Sequence, residues 1–212
     1  MRRLLVYLVL DTSGSMKGEP IESVKVGLQT LVSSLRQDPY ALETVHLAII
    51  TFDREAKVVA PLESLGSFRL PNIETPDAGP THMGLALEKL CADVDQQLRT
   101  KSSEQKGDWR PLLFLMTDGS PSDLKLYRDM IPEVRRRQFG TIVACAAGMK
   151  AKTEFLRELT DTVVGLDTTD AAAFRQFFQW VSSTISSGSK SQGTASGVLL
   201  PPPPPEVHPA GV

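Results

Sequence analysis

The chain presents a cluster of oxygen-bearing side chains directly after its first apolar run. Residues 8–16 read LVLDTSGSM, in which an acid and three hydroxyl side chains appear with no Lys or Arg among them. Asp11, Ser13 and Ser15 stand at i, i+2 and i+4. Gly14 allows a sharp turn, so that the three side-chain oxygens can point at one place. Oxygen atoms gathered at the end of a buried strand indicate a cation site.

Two later loops supply the further oxygens that such a site needs. The stretch DAGPTHMG (77–84) offers Thr81 at the start of a predicted helix, and MTDGSPSD (116–123) offers Asp118 after an apolar strand. Together the loops provide two carboxylates and three hydroxyls, hard oxygen donors that suit Mg²⁺, Mn²⁺ or Ca²⁺ rather than zinc or copper. An ion with only two carboxylates stays electrophilic and can accept an oxygen from a partner. Taken singly, each residue is also explained as a helix cap or turn former.

Apolar periodicity indicates alternating strands and helices that would position these loops. Strands are predicted at 4–10, 45–52, 56–63, 111–117, 141–148 and 162–167, and helices at 19–37, 81–99, 123–138, 153–160 and 170–186. The short connection after the second strand leaves room only for a hairpin, so the third strand is predicted to be antiparallel at an edge. The sequence therefore predicts an α/β fold, a doubly wound (Rossmann-like), mostly parallel six-stranded sheet with one antiparallel edge strand and helices on both faces. Ligands bind such sheets at the carboxyl ends of the strands, where the three loops lie.

Composition changes near residue 186. Residues 1–186 are predicted to form one domain, and residues 187–212 a flexible Ser/Gly linker and a polyproline tail, LLPPPPPEVHPAGV. Five consecutive prolines favour an extended rod. Aromatic-lined grooves can bind such a rod, and it can equally be a passive spacer.

Overall composition excludes several classes of function. A net charge of −2 provides no basic surface for nucleic acid or an anionic membrane. No apolar stretch reaches the roughly 20 residues of a transmembrane helix, and the first apolar run lacks a signal-peptide cleavage site. No GxxxxGK[ST] phosphate loop occurs, and no GxGxxG follows the first strand. Cys91 and Cys145 are predicted to be buried thiols of a reducing compartment, so we expect a cytoplasmic protein. We also expect the protein to be a monomer.

The three loops also carry a family resemblance. DTSGS after the first strand, a threonine before a helix, and MTDGSPSD after a later strand resemble the loops of the von Willebrand factor A domain over residues 1–186. That family's metal-ion-dependent adhesion site uses D-x-S-x-S, a threonine and an aspartate. The resemblance implies that Mg²⁺, or Mn²⁺ or Ca²⁺, is bound directly or through water by Asp11, Ser13, Ser15, Thr81 and Asp118. One departure is Gly79-Pro80-Thr81, where the family usually has Gly-Gly-Thr.

The residues around these ligands are the predicted contacts for a partner, namely Gly14, Met16, Pro80, His82, Gly119 and Ser120. Within the family, the PLESLGSFRLPNIET stretch and the TDGSPSD loop resemble bacterial tellurium-resistance-associated proteins. This closer resemblance implies a role in a bacterial stress response, beside a protein kinase and a PP2C-like phosphatase.

The function predicted from these observations is that of a non-catalytic, metal-dependent protein-binding module. A partner would supply an Asp, a Glu or a phosphorylated side chain to the open position of the metal. One alternative is a metal-dependent phosphatase or hydrolase with Asp11 as nucleophile. The usual D-x-D arrangement of such enzymes would have an acid where Ser13 stands. A scaffold that holds no metal is the other alternative.

Overall fold

Alternating strands and helices build one mixed sheet covered on both faces. A computed structural model describes residues 2–103, 106–148, 151–190 and 200–209. The strands are β1 (Leu4–Asp11), β2 (Val45–Phe52), β3 (Ala56–Ser64), β4 (Leu112–Thr117), β5 (Thr141–Ala147), β6 (Val163–Leu166) and β7 (His208–Pro209). The helices are α1 (Glu19–Arg36), α2 (Pro39–Thr44), α3 (Met83–Gln97), α4 (Leu124–Arg136), α5 (Thr153–Leu159) and α6 (Ala171–Lys190).

The sheet has the order β3-β2-β1-β4-β5-β6-β7. Its five central strands are parallel, and β3 and β7 pair antiparallel at the two edges. The predicted doubly wound, mostly parallel fold is confirmed, as is the antiparallel hairpin of β2 and β3. The prediction of six strands with one antiparallel edge strand is wrong, because β7 is a seventh strand and a second antiparallel edge strand. This strand has only two residues in a proline-rich stretch, and nothing in its composition is typical of a strand.

β1 is central, and its continuous apolar run is buried on both sides. Alternate side chains enter two hydrophobic clusters: Leu4, Val6, Leu8 and Leu10 pack towards α1 and α6, and Leu5, Tyr7 and Val9 towards α3 and α4. Because chain order reverses between β1 and β4, their carboxyl ends lie side by side without a crossover above them. That gap is where the metal-binding loops are expected.

The opposite end of the sheet, where β1 begins, is closed by two arginines. Arg3 donates to both carboxylate oxygens of Asp108, at 3.0 and 2.6 Å. The guanidinium of Arg2 lies 3.6 Å from the centre of the Trp109 ring. Arg2, Trp109 and Ser189 line one cavity of about 590 Å³, so the start of β1 and the end of α6 lie beside each other.

The described part of the predicted tail packs against the domain. Trp180 of α6 donates from Nε1 to the carbonyl of Pro201 at 2.8 Å, and the Val207 side chain is only 1% exposed. We call residues 200–209 the proline-rich segment. Residues 191–199 of the predicted linker lie outside the described residues. Among the residues that the structure describes, no helix is both long enough and apolar enough to cross a membrane.

Candidate metal centre

Loop 1 (residues 12–18), loop 2 (residues 77–82) and loop 3 (residues 118–123) converge above β1 and β4. The register pairs Leu10 with Met116, which brings the ends of the two strands together. Ser15 Oγ donates to Asp118 Oδ1 at 2.8 Å, a contact between residues 103 positions apart. Ser13 Oγ and Ser15 Oγ lie 3.2 Å apart. Three of the five predicted ligands therefore belong to two loops in direct contact, and a fourth, Asp11, is the last residue of β1.

Asp11 is the buried anchor of this cluster, with 1% of its surface exposed. Its Oδ1 accepts from the Ser13 amide at 2.8 Å, and its Oδ2 accepts from the Thr117 hydroxyl at 2.6 Å. Burial raises the pKa of Asp11 to about 6, although these hydrogen bonds act in the other direction, and the charge of Asp118 adds to the rise. Among the described residues no basic side chain forms an ion pair with Asp11. A divalent cation between the two carboxylates would remove this repulsion.

Loop 2 brings Thr81 to loop 3 and also touches loop 1. A Cβ placed on Gly119 would lie 3.4 Å from Thr81 Oγ1, so this hydroxyl faces the residue that follows Asp118. A Cβ on Gly14 would lie 2.8 Å from Ala78 Cα, closer than a side chain tolerates. Glycine is therefore required at position 14 for loops 1 and 2 to approach. All three loops are in mutual contact.

Ser122 and Asp123 hold Thr81 in this position, and the sequence analysis did not identify them. Ser122 Oγ accepts from the Thr81 amide at 3.0 Å, and the Ser122 amide donates to the Thr81 carbonyl at 2.9 Å. Asp123 accepts from the amides of Gly84 and Leu85 at 3.0 and 2.9 Å, so it caps the start of α3 from another loop. His82, the residue before α3, makes no side-chain cap, and nothing in the sequence indicates that loop 3 supplies it instead.

Thr117 is a third functional residue that was not predicted from the sequence. Besides donating to Asp11, its hydroxyl oxygen accepts from the Gly119 amide at 3.1 Å. It therefore fixes the orientation of the buried carboxylate and the turn of loop 3 at once. The hydroxyl before Asp118 in MTDG was available as a signal, but its direction depends on the strand register.

The predicted partner contacts divide into two groups. Met16 is fully buried in the core beside α1, so its side chain cannot reach a partner. This correction follows from the short helical turn at Gly14–Met16, which directs the side chain inward. The others are partly exposed around the cluster, namely Gly14, Pro80, His82, Gly119 and Ser120. Their role as contacts stays a prediction. His82 Nδ1 lies 3.0 Å from the carbonyl of Arg54, so the ring is held by a backbone group.

The donor set fits a hard divalent cation. It comprises two carboxylates and three hydroxyls without nitrogen or sulfur. In the described part of the chain, no group of three or more His, Cys, Asp or Glu side chains could hold a metal by itself. A centre at this place would consequently depend on the serine and threonine hydroxyls as well as on the two acids.

Comparisons with known proteins agree with the observed fold. The sequence model for the von Willebrand factor type A domain matches residues 6–180. A von Willebrand factor type A structure from Catenulispora acidiphila has a TM-score of 0.65 and 18% identity, covering 88% of this chain and 43% of that one. Proximal thread matrix protein 1 from the mussel byssus, described with a zinc-occupied MIDAS motif, has a TM-score of 0.57 and 15% identity, covering 85% of this chain and 46% of that one. At these identities the likeness shows the fold.

A relative is also found by sequence among curated proteins. The uncharacterized protein sll0103 of Synechocystis sp. is 31% identical over 123 residues, which cover 55% of this chain and 25% of the relative. The chain thus spans about a quarter of that relative and less than half of the two structures.

Proposed function

The chain belongs to the von Willebrand factor type A domain family, and from that premise we propose that it is a non-catalytic, metal-dependent protein-binding module. Domains of this family are protein-interaction modules that commonly bind a divalent metal at the MIDAS. The proposed ligands are those expected from the sequence, namely Asp11, Ser13, Ser15, Thr81 and Asp118.

The observation that carries this proposal is the contact of Ser15 with Asp118 beside the buried Asp11. The side chains share one small volume although they come from separate loops. When bound, Mg²⁺ would supply an electrophilic position for an oxygen from outside the chain. The chain's own residues hold the carboxylates in place, since Thr117 and the Ser13 amide fix both oxygens of Asp11.

The environment of Asp11 argues against the hydrolase alternative. A phosphoryl-accepting aspartate in the usual D-x-D arrangement has a second acid two residues later, where this chain has Ser13. His82, the histidine in loop 2, is engaged with the Arg54 carbonyl. Reversible docking of an acidic group is therefore the better use of this geometry.

The identity of metal and partner is a finer part of the proposal. The oxygen donors favour Mg²⁺, with Mn²⁺ and Ca²⁺ as alternatives. The neighbour described with zinc makes Zn²⁺ a necessary comparison. The resemblance of loop 3 to tellurium-resistance-associated proteins supports a bacterial stress-response complex with a protein kinase and a PP2C-like phosphatase. In that setting a phosphorylated side chain is a natural incoming ligand.

Calorimetric titration with Mg²⁺, Mn²⁺, Ca²⁺ and Zn²⁺ tests the metal. We expect one Mg²⁺ per wild-type chain and at least a tenfold weaker affinity in Asp11→Ala, because one of the two anionic ligands is lost. Asp77→Ala is the matched control, since Asp77 is an acid of loop 2 with a 91% exposed side chain, paired with Lys17. Equal Mg²⁺ binding by wild type and Asp11→Ala, with both folded by circular dichroism, would contradict a metal centre at Asp11.

A pulldown from the native cytoplasm tests the partner. We expect kinase or phosphatase subunits to be retained by the wild type with Mg²⁺ and to be lost with EDTA or with Asp118→Ala. Asp77→Ala again serves as the control. Retention that is insensitive to both EDTA and Asp118→Ala contradicts docking through the metal.

A further inference from the structure

The outer edge of β6, which faces away from β5, is paired with residues from the same chain. In the proline-rich segment, β7 pairs antiparallel with β6 and sets Gly165 opposite His208 and Val164 opposite Pro209. An uncovered strand in this position would present unpaired backbone groups to any extended peptide. The edge of the sheet is thus occupied by a short strand whose chemistry is that of a peptide ligand.

Besides the strand pairing, two contacts hold the segment against the domain. At its start, the Trp180 indole donates to the Pro201 carbonyl at 2.8 Å. Near its end, Val207 enters the hydrophobic cluster formed with α1 and α6. Between these anchors the prolines are partly or fully exposed, and the Val207 amide closes a turn onto the Pro204 carbonyl at 2.9 Å.

These contacts divide the work as in known modes of peptide recognition. Pairing with a strand edge gives affinity through the main chain, and pockets for single side chains give specificity. A run of prolines is extended before it binds, so little conformational entropy is lost on docking. Prolines have no backbone N–H, so a carbonyl within a proline run finds no donor among its neighbours in the chain. An indole N–H can supply that donor.

We propose that the β6 edge, Trp180 and the Val207 pocket form a binding site for proline-rich segments, distinct from the metal centre. The ligand has a proline run followed, after one residue, by an aliphatic side chain that fills the pocket. In this structure the chain's own segment occupies the site. After that segment is displaced, the site takes one of the same chemistry from a second polypeptide.

The covalent connection favours the chain's own segment over a segment from another polypeptide. Nine residues, 191–199, join α6 to the proline-rich segment. Short tethers commonly give effective concentrations on the order of millimolar, so a separate peptide competes poorly until the tethered one is weakened. The chain's own segment therefore masks the site, and the receptor must be unmasked before binding in trans is measured.

The test uses the full-length chain with Val207→Asp and a fluorescent peptide of residues 200–209, LPPPPPEVHP. A buried aspartate cannot stay in the pocket, so the tethered segment is released. We expect the Val207→Asp chain to bind the peptide at least tenfold more tightly than the wild type. The same peptide carrying Val207→Asp should not bind, and Trp180→Phe in the unmasked chain should weaken binding severalfold because its N–H is lost.

Two controls keep the outcome decisive. Glu206→Gln changes the exposed neighbour of Val207 and should leave peptide binding as weak as in the wild type. Val207→Ser is the second unmasking variant if Val207→Asp fails to fold by circular dichroism. A folded, unmasked chain that binds the peptide no better than the wild type, or binds the Val207→Asp peptide equally well, would overturn the proposal.

Discussion

Asp11 is the buried carboxylate of the proposed metal centre. Asp11 is desolvated, hydrogen-bonded through both oxygens and close enough to Asp118 for the second charge to oppose its ionisation. Left without a cation, such a pair costs stability, because burial and like charge both oppose ionisation. A cation bound at the proposed centre would offset both costs.

The Thr117 hydroxyl is the side chain on which the orientation of Asp11 depends. Thr117→Val keeps the shape but removes the donor to Asp11 and the acceptor for Gly119, so we expect Mg²⁺ affinity to fall about 10- to 100-fold. The free energy of unfolding of the metal-free protein should fall by about 1–2 kcal/mol in urea, because the buried Asp11 carboxylate and the partly buried Gly119 amide each lose a partner. Thr117→Ser retains the hydroxyl and should bind Mg²⁺ within about threefold of wild type. An unchanged affinity in Thr117→Val would show that Thr117 does not position Asp11.

The five proposed ligands could be identified from the sequence because their residue types and spacing announce oxygen chemistry. Ser122 and Asp123 could not, because they act on backbone amides of a distant loop, and such hydrogen bonds leave no spacing in the sequence. Met16 was misplaced for a related reason. Its neighbours in loop 1 are partly or fully exposed, but the helical turn at Gly14–Met16 directs the Met16 side chain into the core.

Helix α3 is capped at its start by Asp123, a side chain of loop 3. Removing the carboxylate in Asp123→Ala leaves the Gly84 and Leu85 amides unpaired, which we expect to cost about 1–2 kcal/mol of unfolding free energy. Thr81 lies two residues before α3, so Mg²⁺ affinity should fall as well. Urea denaturation and calorimetry measure the two effects. Asp129→Ala, an exposed acid on α4, is the control and should change neither. A stability loss without loss of affinity would separate Thr81 from the metal.

The strands β1 to β6 were predictable because each carries an apolar run of its own. β7 was not, since two residues contain no periodicity and proline is poor in strands. Its pairing depends on a contact with β6 that no local pattern encodes. The short helix α2 was missed because Asp38-Pro39 reads as the end of α1, whereas Asp38 also caps a new turn by accepting from the Tyr40 amide.

Across the whole molecule, the ion pair of Arg3 with Asp108 ties β1 to the chain that follows α3. Burial raises the pKa of Asp108, but hydrogen bonds from Arg3 and the Arg99 amide outweigh it, so the pKa lies below its ordinary value. The pair consequently contributes stability above the carboxyl's unfolded pKa, and this contribution is lost as the pH falls through the lower folded pKa.

Asp108→Asn tests this contribution. We expect a loss of about 2–3 kcal/mol in urea unfolding at pH 7, because the variant removes a charged hydrogen-bond partner from a mostly buried arginine. The difference between variant and wild type should shrink as the pH approaches 3. Glu22→Gln, which removes an exposed pair with Lys25, should cost less than about 1 kcal/mol at either pH. A difference that did not change with pH would assign the effect to packing instead of charge.

The cavity shared by Arg2, Trp109 and Ser189 has a consequence for how the fold is carried in larger proteins. β1 begins and α6 ends at neighbouring points, on the side away from the three loops, before the proline-rich segment returns to the β6 edge. Residues 2–190, without that segment, could therefore be inserted into a surface turn of a host polypeptide with little distortion of its backbone. Inserted in that way, the unit would hold the three loops outward, towards whatever approaches the host.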